Sequence, residues 1–82
     1  MKIKFQCNTA LKFILKQPLK QRERIFAAIN RLPEGDIVPM SGMTGYHRLR
    51  VGDYRFVFSV DSLNDTIIIY HAGNRGDVYK GF

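Results

Sequence analysis

Between Tyr46 and Ala72 the chain lays down three strand-like runs separated by two tight turns, and this stretch limits the possible folds more than any other. Tyr46–Val51 and Tyr54–Asp61 flank Gly52-Asp53, a dipeptide of the two-residue hairpin kind. Leu63-Asn64-Asp65 turns the chain again before Thr66–Ala72, a run rich in isoleucine. Runs joined by such short connections predict neighbouring antiparallel strands.

Side chains alternate across a sheet, so each run divides its residues between two faces. In the first run Leu49 and Val51 point one way, with Tyr46, Arg48 and Arg50 pointing the other. In the second, Tyr54, Phe56 and Phe58 oppose Arg55, Val57 and Ser59. Pairing about Gly52-Asp53 places Arg50 close to Arg55 across the ladder. His47 falls on the Leu49 side, which suggests a packing role.

The preceding residues read as one strand and two helices. Lys2–Gln6 alternates, with Ile3 and Phe5 on one face. Asn8 or Thr9 caps a helix running to about Gln17. On it Leu11, Ile14 and Leu15 share a side, Lys12 and Lys16 share another, and Phe13 sits off the apolar stripe. Pro18 opens a second helix, as a first-turn proline does. There Ile25, Ile29 and Leu32 face one way, opposite Lys20, Arg24 and Arg31 around Ala27. Pro33-Glu34-Gly35 ends this helix, and residues 36–45, with Pro39, Gly42 and Gly45, read as a connecting loop. The order β-α-α-β-β-β predicts an α+β fold: a mostly antiparallel sheet with a helical hairpin packed on one face. Its core should draw on Leu49, Val51, Phe56, Phe58, Ile67 and Ile69, joined by Ile14, Ile25 and Ile29.

The 82 residues fit a single domain spanning 1–82. With 45% hydrophobic and 24% charged residues the composition is that of a globular chain, not a disordered one. No apolar run approaches the ~20 residues of a membrane span, and the alternating Met1–Phe5 is not a signal peptide. Cys7 is the single cysteine. It reads as a small buried hydrophobe in a reducing cytoplasm. The net charge of +6, from 13 Lys/Arg against 7 Asp/Glu, suits a nucleic acid or an acidic protein as partner. It also lies within the range that keeps a small domain soluble.

Most enzyme signatures are absent. There is no glycine-rich phosphate loop, no nucleophile elbow and no metal-ligand spacing, so neither a metal nor a small-molecule cofactor is expected. What remains is a concentration of arginines on the strands. Close cations repel. Either a phosphate offsets that repulsion or Asp53, Asp61 and Asp77 do, and the alternative is that these arginines form ordinary solvated ion pairs.

Two segments carry a family resemblance. Gly45-Tyr46-His47-Arg48-Leu49-Arg50-Val51-Gly52-Asp53-Tyr54-Arg55 resembles the hallmark segment of RelE/ParE-superfamily toxins, and Gly73-Asn74-Arg75-Gly76-Asp77-Val78-Tyr79-Lys80 is similar to the family's C-terminal Arg–Asp-Val-Tyr motif. The resemblance extends over nearly the whole chain. It implies the toxin of a type II toxin–antitoxin system and, in the ribonuclease branch, an endoribonuclease cleaving mRNA in the ribosomal A site. There a ribose 2′-OH attacks the adjacent phosphate without a metal. By position the resemblance implies Arg48, Arg55, Arg75 and Tyr79 as catalytic residues, with Tyr46 standing where some active members carry a second lysine. Fixed guanidinium donors suit the developing charge of a phosphoryl transition state. A phenol, with an ordinary pKa of about 10, is a poor base at neutral pH unless neighbouring cations favour phenolate. His71, close in sequence to Arg75, is a second candidate for moving the proton.

Lys12, Lys16, Lys20, Arg24, Arg31, Tyr46, Arg50 and Lys80 are the candidates for contact with RNA or the ribosome, where backbone contacts position without reading sequence. The resemblance also implies a cognate antitoxin. An acidic segment that folds on binding suits the charge, with Phe13 as its proposed anchor. The superfamily includes gyrase inhibitors as well, so a non-nuclease gyrase poison and an inactive paralogue that only binds antitoxin are the alternatives. The short stretch from Asn8 to Leu32 resembles the compact ribonuclease members more than the gyrase inhibitors.

Overall fold

The computed structural model describes residues 2–42 and 44–74. The elements are β1 (Lys2–Phe5), α1 (Asn8–Leu15), α2 (Leu19–Asn30), β2 (Ile37–Pro39), β3 (His47–Val51), β4 (Tyr54–Asp61) and β5 (Thr66–Asn74). They build one five-stranded sheet in the order β1-β5-β4-β3-β2. β1 lies parallel to β5 and the other neighbouring strands are antiparallel. This is the α+β arrangement expected from the sequence, with two differences in its elements.

The first difference is β2, which lies within the stretch read as a loop. Its Ile37, Val38 and Pro39 pair with Leu49, Arg48 and His47. Three residues are too few for a periodic signal. Pro39 argues against a strand in general but is tolerated on an edge. The second is β5, which continues through Gly73 to Asn74 because β4 supplies partners that far: Arg55 faces Gly73 and Tyr54 faces Asn74.

The core follows the alternation. Leu49, Val51, Phe56, Phe58, Ile67 and Ile69 form one buried cluster with Ile14, Ile25, Ile29, Ala10, Leu32 and Ala72. Every side chain expected in the core is there. Among the described residues both helices pack on this one face. Burying side chains of this size contributes about 1.5–3 kcal/mol each, so the cluster is the main source of stability.

Helix α1 sits differently from its expected phase. Ala10 and Ile14 are its buried residues, while Leu15 is 52% exposed. Leu15 therefore does not share the inward side of Ile14. Phe13, expected off the stripe, is half-buried against the core cluster and meets Tyr54 edge-on, with ring centroids 5.8 Å apart. Tyr54 Oη donates to Gln17 Oε1 at 3.0 Å and Gln17 Nε2 donates to the Phe13 carbonyl at 2.9 Å. Cys7, not Asn8 or Thr9, is the N-cap. It is exposed and not a buried hydrophobe, and hydrogen bonds from Thr9, the backbone one first, hold its thiol below the ordinary value.

Two turns set the register. At the β3–β4 hairpin Gly52 has φ 59°. This is the first loop position, where a II′ turn requires glycine. A Cβ there would also stand 3.2 Å from Arg24 Nη1, so the absent side chain lets Arg24 pack over the hairpin tip. At the β4–β5 turn Asp61 accepts from the Asn64 side chain at 2.7 Å and from its backbone N–H at 3.3 Å, and those bonds hold the Asp61 carboxyl below its usual value.

Candidate functional site

The second face of the sheet carries residues the core does not need. Across β3, β4 and β5 the ladder aligns Arg48 with Val57 and His71, and Arg50 with Arg55 and Gly73. The predicted juxtaposition of Arg50 and Arg55 is met in register, as directly facing residues. Arg48 lies two residues along β3 from Arg50, so three guanidinium groups spring from one small area of sheet. Val57 is fully buried yet stands outside the cluster under the helices, between Arg48 and His71 in the ladder.

A bulge shapes this face. Phe58 pairs with Ile69 and Val57 with His71, so Tyr70 is an extra residue on β5. Bulges of this kind re-aim side chains and occur often beside functional sites. Here the bulge resets the alternation. Ile67 and Ile69 point into the core before it, and Ala72 does so after it. His71 thereby comes to the Val57 row, and Tyr70 reaches Ser59, with Oη and Oγ 2.8 Å apart. Tyr46 lies edge-on to Tyr70, centroids 5.1 Å apart at 63°. His47, on the other phase, stacks on Phe58 at 5.5 Å, the packing role its position suggested.

The arginines differ in how they are held. Arg50 Nε pairs with Asp36 Oδ2 at 2.5 Å, and the Arg50 backbone N–H donates to the Asp36 carbonyl at 3.0 Å. Arg55 Nη1 donates to the carbonyls of Gly52 and Tyr54, at 2.9 and 3.0 Å. Repulsion between the facing pair is thus relieved by a carboxylate from the loop after α2 and by the hairpin's own carbonyls. Asp36 was not among the carboxylates expected for this role. Asp61 instead serves its own turn. Arg50 and Arg55 also line a groove of about 760 Å³ between α2 and the hairpin, shared with Arg24, Arg31, Glu34 and Asp53.

The expected site residues therefore divide. Arg48, Arg50, Arg55 and Tyr46 come together on one face and its hairpin edge. Arg24 and Arg31 reach that edge from α2. Lys12, Lys16 and Lys20 are exposed on the helical layer, on the other side of the sheet. Arg75, Tyr79 and Lys80 lie outside the described residues. Sequence reasoning did not single out Asp36, Ser59 or Tyr70: a long-range ion pair leaves no periodic trace, and alternation places Ser59 on this face without showing that it meets Tyr70. Among the described residues no three His, Cys, Asp or Glu side chains gather as a metal site, and no helix is long and apolar enough to cross a membrane.

No protein-family model matches the chain, and no curated protein matches it in sequence. Solved structures do. The RelB–RelE antitoxin–toxin complex from Methanococcus jannaschii matches at 29% identity and TM-score 0.73, over 96% of this chain and 98% of that one. The archaeal RelE–RelB complex from Pyrococcus horikoshii matches at 23% identity and TM-score 0.74, over 92% and 94%. The YoeB/ParE toxin from Agrobacterium tumefaciens matches at 22% identity and TM-score 0.73, over 92% and 99%. The chain has the fold of the RelE/ParE-superfamily toxins.

Proposed function

We propose that this RelE/ParE-fold chain is the toxin of a toxin–antitoxin pair and that it acts as an endoribonuclease on mRNA, in the ribosomal A site. The observation that carries the reading is the set of arginines in ladder register on the face the helices leave to other uses. In the proposed reaction a ribose 2′-OH attacks the adjacent phosphorus. The P–O5′ bond breaks, leaving a 2′,3′-cyclic phosphate and a 5′-hydroxyl. The attacking hydroxyl loses a proton and the leaving oxygen gains one, so no metal or cofactor is consumed. Arg48 and Arg55 supply donors for the charge that develops on the phosphate oxygens, an effect worth about 10²–10³ in rate per donor. Arg75 and Tyr79 complete the set by resemblance. Tyr79 or His71 takes the proton, and the pH–rate profiles of Tyr79→Phe and His71→Ala separate the two.

The partner follows from charge and from the relatives, two of which were solved as RelB–RelE complexes. At the α1–α2 corner Leu15 and Leu19 are 52% and 60% exposed among Lys12, Lys16 and Lys20. We assign this corner, with Phe13 at its inner edge, to an acidic antitoxin segment in the cytoplasm. The deciding experiment is induction in bacteria with primer extension on a translated message, alongside a gyrase supercoiling assay. Discrete cuts with unchanged supercoiling support the nuclease. Inhibited supercoiling with an intact message supports the gyrase reading.

A further inference from the structure

The half of the arginine face away from the hairpin tip is aromatic. Tyr46, just before β3, and Tyr70, at the bulge of β5, reach toward each other over β4 and meet edge-on at 5.1 Å. Ser59, beneath them on β4, ties the Tyr70 phenol at 2.8 Å. Neither ring belongs to the core cluster, and both are half-buried, so each keeps part of its surface toward solvent. Arg48 lies two residues along the strand from Tyr46, about 6.6 Å away. Held rings beside a guanidinium match what a single-stranded polynucleotide offers, a base face to stack and a phosphate to pair.

We propose that Tyr46 and Tyr70 form a nucleobase platform, with one base of the RNA strand stacked on this pair and an adjoining phosphate directed to Arg48. The inference rests on the RNA reading above and adds to it the place where a base is held. Tyr70 follows Ile67 and Ile69 in alternation onto this face, and the bulge beside it turns His71 to the same side. Stacking accepts any base, so the platform contributes affinity and position more than sequence choice.

The test is a binding titration with a short single-stranded RNA, 2′-O-methylated so that it cannot be cut, offered free and on programmed ribosomes. Each nucleotide is made abasic in turn. Tyr46→Leu and Tyr70→Leu keep an apolar side chain without an aromatic face. Each should weaken binding about 5- to 100-fold, the range of one base–aromatic stack. Tyr70→Phe, which keeps the ring and loses the bond to Ser59, should bind more tightly than Tyr70→Leu. One abasic position should weaken binding to wild type and have no further effect on the Tyr46→Leu protein. If the folded leucine variants bind as wild type does, or every abasic penalty persists in them, the platform is overturned, while losses in Arg48→Ala and Arg55→Ala keep the RNA reading. If wild type binds neither form of RNA, or the arginine variants bind as tightly as wild type, the RNA reading fails and the platform with it.

Discussion

The two faces of the sheet are made by the same strands and answer to different demands. The helix-covered face carries an apolar layer of Leu49, Val51, Phe56, Phe58, Ile67, Ile69 and Ala72, and no polar or charged residue is buried among the described ones. The opposite face places Arg48, Arg50, Arg55, Ser59, Tyr46, Tyr70 and His71 in one region. Folding needs the first face and would be served by plainer residues on the second. Cations set directly opposite one another work against stability, and here they are tolerated through Asp36 and the hairpin carbonyls. The contrast teaches where to look for function: on the side of the sheet whose composition the fold does not require.

The contrast breaks most visibly in the core. Phe56 is fully buried in the cluster. Phe56→Ala should lose about 3–5 kcal/mol, a large part of the ~5–15 kcal/mol available to a small domain. Urea unfolding should show a midpoint collapsed or lost. A shift below about 1 kcal/mol would mean that the strand phases are wrong.

On the other face the same kind of truncation should spare the fold and remove the activity. Arg55→Ala should slow RNA cleavage about 10²–10³-fold, with unfolding free energy changed by about 1 kcal/mol, since its bonds to Gly52 and Tyr54 are ordinary ones. Single-turnover cleavage and urea melts on one preparation check both halves. Equal losses in both would make Arg55 a structural residue.

These expectations are strongest where sequence was most legible. Period-2 alternation was enough to assign Leu49 and Arg48 to opposite faces, and Gly52-Asp53 was enough to bring Arg50 opposite Arg55. Alternation has no way to announce an inserted residue, so the bulge at Tyr70 and the resulting position of His71 came only with the ladder. Ion pairs are equally silent, because Asp36 and Arg50 are joined by the path of the loop and not by a local pattern. Leu15 misled because its spacing from Leu11 suits a helical stripe, while the short α1 buries only Ala10 and Ile14.

Smaller effects sharpen the picture at its margins. Asp36→Asn should cost no more than about 1 kcal/mol, since the pair with Arg50 is largely exposed. The loss should shrink as salt rises, which a melt series in increasing sodium chloride would show. A salt-independent loss would point to packing instead. The Asp61 carboxyl is held down by Asn64, so its folded pKa lies below its unfolded one. Its contribution is present above the unfolded pKa and is lost as pH falls through the folded one. Asp61→Asn should therefore flatten the acid limb of the stability–pH curve slightly and leave neutral pH behaviour nearly unchanged. A steeper acid limb in that variant would reverse the assignment.

The most direct test sets the two sides of the sheet against each other in living cells. Wild type, Arg48→Ala/Arg55→Ala and Lys12→Ala/Lys16→Ala are induced in bacteria without antitoxin, with growth followed and cuts in a translated message mapped by primer extension. Wild type and the lysine variant should arrest growth and cut the message. The arginine variant should do neither while remaining folded in solution. A folded arginine variant that still cuts, or a wild type that arrests growth with every message intact, would contradict the assignment of this face to RNA cleavage.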